Sequence, residues 1–100
     1  MKTFKKVKEG DCIYAVYDSG IVEQKIVKEK VEDWYEHMCY FYFDNGYVKV
    51  NMDMYAWHDE DEDFLTYYAD AKNAIHHIDL IRIDAERTLK TCEESLKLFS

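Results

Sequence analysis

Apolar and polar residues alternate along the first two-thirds of the chain, and the period then lengthens. Cys12-Ile13-Tyr14-Ala15-Val16-Tyr17 reads as a first strand, entered through the turn-forming Gly10-Asp11. Asp18-Ser19-Gly20 ends it with a turn in which the glycine can take positive φ. Residues 21–31 read as one long second strand. Within it the adjacent Ile26 and Val27 break the alternation, which predicts a bulge or a stretch buried on both sides. After a loop at 33–36, residues 38–43 form a third strand and 47–52 a fourth. Asp44-Asn45-Gly46 lies between them, and the Asn-Gly pair predicts a type I′ hairpin with positive φ at both central positions. Val48, Val50 and Met52 then face inward, and Tyr47, Lys49 and Asn51 outward. Residues 53–63 read as an acidic loop and 64–68 as a fifth strand.

From Ala71 onward the period becomes helical. Asp70 is a good N-cap, and with no Gly or Pro beyond it the helix should run to about Leu98. A long apolar stripe runs Ala71, Ile75, Ile78, Ala85, Leu89, Cys92, Leu96 and Phe99, spaced by threes and fours or their sums, and should lie on the sheet or on its own symmetry mate. A second stripe, His76, Leu80, Ile83 and Arg87, lies on another side, so the helix is apolar almost all round near residues 78–83. Two explanations stand: a helix enclosed within the monomer, or a contact of these four residues with a homodimer mate or partner. The elements predict an α+β fold, a strongly bent five-stranded antiparallel sheet or small barrel followed by one long C-terminal helix. Its 100 residues suit one domain, and no linker or repeat divides them.

Charge changes this picture. The net charge is −8, and residues 53–70 carry Asp53, Asp59, Glu60, Asp61, Glu62, Asp63 and Asp70 with no Lys or Arg. So negative a field argues against direct binding to nucleic acid. The charged N-terminus lacks a signal core and no apolar run approaches a membrane span, so a cytoplasmic protein without membrane contact is expected. Cys12, Cys39 and Cys92 are an odd, scattered set, read as reduced thiols; Cys39 and Cys92 look like core residues.

Candidate chemistry is thin. The acids beside His58 lack the glycine of a calcium loop, adjacent His76 and His77 diverge on a helix, and no Cys-x-x-Cys pair is present, so neither metal nor cofactor is expected. Gly10, Gly20 and Gly46 are each explained by turns rather than by a phosphate loop, and no nucleophile motif appears, so the chain reads as a non-enzyme. The segment holding Tyr55, Trp57, Asp59, Glu60, Asp61, Glu62 and Asp63 has two explanations. Its aromatics either anchor a long loop, or they form a contact surface whose carboxylates steer a basic partner.

The run Val7-Lys8-Glu9-Gly10-Asp11-Cys12-Ile13-Tyr14 is similar to the opening strand of SH3-like small barrels. Together with the long second strand, the Asn-Gly hairpin and Tyr67-Tyr68-Ala69-Asp70 leading into a helix, it resembles small barrel proteins of bacterial phages and mobile elements. The resemblance implies a fold and a genomic setting, and carries no functional residue. With the charge, it leads to an expected function: an acidic protein-binding module, an inhibitor that blocks a basic, nucleic-acid-binding site on a host protein. The alternative is a small-ligand binder with a Tyr-rich pocket between barrel and helix or across a dimer.

Overall fold

The computed structural model describes residues 2–59 and 64–99. These residues form seven strands: β1 (Cys12–Tyr17), β2 (Val22–Ile26), β3 (Glu29–Asp33), β4 (Met38–Phe43), β5 (Gly46–Asn51), β6 (Ala56–His58) and β7 (Leu65–Tyr68). The helix α1 (Ala71–Leu96) follows, and a 3-10 turn at Lys97–Phe99 prolongs it. The strands form two antiparallel sheets, ordered β2-β1-β7-β6 and β3-β4-β5. The α+β class holds, but the five-stranded count does not, and a closed barrel is not found among the described residues.

The expected second strand is two strands in different sheets. Val27 exchanges backbone hydrogen bonds with Gly10 and Asp11 beside the first sheet, whereas the Lys28 N–H donates to the Tyr42 carbonyl in the second. The chain therefore turns its corner at the pair where alternation fails. The corner also resets the side-chain phase. Val27 is buried, but Val31 is 44% exposed and Lys30 points inward, with a side chain only 8% exposed. A one-residue shift in a pleated strand moves every side chain to the opposite face. The further strand, β6, lies in the expected acidic loop and pairs with β7 from Ala56–Tyr68 to His58–Thr66.

The β4–β5 hairpin forms with Phe43 opposite Gly46, which leaves Asp44 and Asn45 as its two-residue loop. His37 is the sole non-glycine with positive φ among the described residues, so the turn is not type I′. Gly46 alone takes the positive φ, 144°. Val48, Val50 and Met52 are buried as expected.

The core lies between the two sheets. Ile13, Ala15, Leu65 and Tyr67 from the first meet Cys39, Phe41, Val48 and Val50 from the second. The N-terminal segment covers one end, its Phe4 and Val7 fully buried and its backbone bonded to Met52 and Met54. Lys30 Nζ fastens that segment by donating to the carbonyls of Lys5 (2.9 Å) and Val7 (2.8 Å). Helix α1 packs against β1 and β7. Val16 and Ala74, buried yet outside the main cluster, mark that contact.

Candidate interaction surfaces

Asp70 caps α1 as the sequence predicts, its carboxylate accepting from the Asn73 N–H at 3.0 Å. A second fastening lies two turns on. The Tyr68 hydroxyl and His77 Nδ1 are hydrogen-bonded at 2.9 Å, and His77 Nε2 lies 3.8 Å from the Asp18 carboxylate. Burial pushes the Tyr68 hydroxyl above its ordinary pKa, and the negative charge of Asp18 adds to the effect. These contacts, with Ala74, hold the first turns of the helix on the sheet.

The rest of the helix leaves the β-sheets. Every residue from 84 to 99 is exposed. At about 1.5 Å per residue, that half of the helix extends roughly 24 Å beyond its support. The chain is accordingly long, 62 × 27 × 23 Å, with a radius of gyration of 17.3 Å. A compact chain of this length would have about 13 Å. The projecting half carries Leu89 (61% exposed), Leu96 (66%) and Phe99 (86%) along one side. Cys92 stands on the same side and is exposed, so the expectation that it is a core residue fails; Cys39 is buried as expected.

The second stripe is only partly covered. His76, Leu80 and Arg87 are exposed and Ile83 is half-buried, so the enclosed-helix explanation does not hold for these residues. Arg82, absent from both stripes, interrupts the longer one and is paired along the helix with Asp79 (3.7 Å) and Glu86 (3.5 Å).

In the acidic segment, Trp57 packs half-buried against the core, the anchoring role. Tyr55 and Phe64 are the more exposed aromatics, at 41% and 67%. Asp59 stays attached to the sheet, its N–H donating to the Leu65 carbonyl. Glu60, Asp61, Glu62 and Asp63 lie outside the described residues. No group of three or more metal-ligating side chains occurs among the described residues. None of their helices is long and apolar enough to cross a membrane.

A further surface escaped the sequence reading. Tyr42 and Tyr47 sit opposite each other on β4 and β5, and with Tyr40 they form a ring cluster with centroids 5.6–6.4 Å apart. Lys49 lies over Tyr40, whose hydroxyl holds the ammonium above the usual lysine pKa. Strand alternation was the available signal, since it put Tyr47 and Lys49 on the outer face. These tyrosines line the open side of the second sheet, not a pocket beside the helix. A groove of about 220 Å³ between Gln24, Ile26, Phe43 and Asn45 has no tyrosine in its lining. No family model, curated protein or solved structure matches the chain, and the functional reading rests on these surfaces.

Proposed function

We propose that the chain is a non-enzymatic protein-binding module. The observation that carries this reading is the projecting half of α1, which keeps a row of large apolar side chains outside the fold of its own chain. Isolated helices of this length are marginal in water, and most helices in proteins are stabilised by what covers their apolar face. A contiguous apolar face on a small domain marks a protein contact.

The acidic segment supplies the chemistry of a partner. Seven carboxylates and no cation within residues 53–70 favour a basic protein and speed its approach more than they tighten the complex. On this reading the chain is an inhibitor of phage or mobile-element type, its carboxylates standing in for phosphates at a nucleic-acid-binding site of a host protein.

The test is capture from host lysate at low and high salt by three forms of the full chain. These are wild type, a form with Asp59, Glu60, Asp61, Glu62 and Asp63 changed to Asn or Gln, and L89E/L96E. A basic protein should bind wild type, bind the neutralised form more slowly, and lose most of its salt sensitivity there. Equal capture by wild type and the neutralised form at both salt concentrations refutes the acidic surface. Equal capture by L89E/L96E refutes a helix contact with that protein.

A further inference from the structure

The exposed side of α1 has the period of a helix-pairing seam. Positions 71, 75, 78, 82, 85, 89, 92, 96 and 99 follow one another in alternating steps of four and three, and all but Arg82 are apolar. That is the 3.5-residue repeat of a coiled coil, a narrower stripe than a helix resting on a sheet requires. The sheet takes the helix only at its start, and from residue 84 the seam is open.

We propose that a second copy of this chain covers the seam, with the two helices antiparallel from Arg82 to Phe99. This deepens the protein-binding reading above and rests on it. The residues themselves select the orientation. In a parallel pair each seam residue meets its own copy. Arg82 then faces Arg82, a like-charge layer, and Ala85 faces Ala85, which leaves a void. In an antiparallel pair with Leu89 opposite Cys92, Ala85 faces Leu96 and Arg82 faces Phe99. Each layer then joins a large side chain to a smaller one, or a guanidinium to an aromatic ring.

Beside the seam, Glu86, Lys90, Glu93 and Lys97 alternate in sign. Antiparallel approach lays this row against its own reverse, with Glu86 beside Glu93 of the second copy and Lys90 and Lys97 farther from the seam around them, so the orientation is carried by the seam layers and not by the flank. The antiparallel arrangement also sends the two acidic β-domains to opposite ends of the helix pair, where their mutual repulsion is screened.

Sedimentation of the full chain tests the contact. Wild type at micromolar concentration should run at twice the 12.0 kDa monomer mass. L89E/L96E should weaken association by roughly a hundredfold or more, since it places charge in the seam. Its β-domain should stay folded, because both leucines are exposed in the monomer. Orientation is read on a background with Cys12→Ser and Cys92→Ser, by mixing chains carrying Ala85→Cys with chains carrying Leu96→Cys under mild oxidation. The mixed disulfide should form well ahead of either symmetric one. Three outcomes overturn the proposal: wild type monomeric to hundreds of micromolar, a dimer that survives L89E/L96E, or symmetric disulfides forming first. Any of them leaves the lysate capture free to succeed with a different partner.

Discussion

Replacing Lys30 with Met tests how the N-terminal segment is held. The Lys30 side chain is 8% exposed, and its ammonium donates to the Lys5 and Val7 carbonyls and lies 3.2 Å from a Glu32 carboxylate oxygen. Its position 5.7 Å from the Phe41 ring adds a cation–π contact. Methionine keeps the length of the stem and its packing but removes the charge. Two hydrogen bonds from a charged donor are worth about 1.5–3 kcal/mol each, and relief of the desolvated ammonium returns part of that. A net loss of about 2–3 kcal/mol follows, a large fraction of the roughly 5–15 kcal/mol that stabilises a domain. For a chain of this size the melting temperature should fall by roughly 10–20 °C. Urea titration followed by tryptophan fluorescence and by circular dichroism gives the free energy directly. Because the segment that Lys30 fastens contributes Phe4 and Val7 to the core, both probes should report the loss with one midpoint. Combining Lys30→Met with Glu32→Gln should cost less than the sum of the two single changes, as expected for a shared contact. A loss below about 0.5 kcal/mol for Lys30→Met would refute the fastening role.

Gly46→Val isolates backbone strain, because a Cβ at Gly46 meets nothing within 4 Å while its φ is 144°. It should cost on the order of 1 kcal/mol or more by thermal melting, and a neutral result would mean that the turn relaxes freely. The cysteines should separate in a thiol-labelling experiment at pH 8. Burial pushes the Cys39 thiol up to about 11, so it should label only on unfolding, whereas exposed Cys92 should label in the native protein. Rapid native labelling of Cys39 would contradict its place between the sheets.

Much of this fold is legible in short windows of sequence. The alternation that buries Val48, Val50 and Met52, the hairpin at residues 44–46 and the Asp70 cap each depend on neighbours a few residues apart. Local stereochemistry decides them before any long-range contact forms. The two apolar helix stripes are legible for the same reason. What covers them is not, because that depends on where the sheets end in space. Leu89, Cys92 and Leu96 are exposed since the support stops near the third turn of α1, and His76 and Leu80 are exposed because the sheet covers only one side of the helix before that point, facts no periodicity contains. The inward turn of Lys30 and the outward turn of Val31 have a similar origin. Hydrophobicity alone assigns them the other way round, but the corner at Val27–Lys28 reverses the phase of β3. The Lys5 and Val7 carbonyls, brought close by the N-terminal segment, then give a buried ammonium its partners. Trp57 follows the same logic: its acidic neighbours mark an exposed loop, yet pairing of β6 with β7 lays its ring against the core. Local pattern chose the elements, and long-range packing decided which of their faces the chain covers.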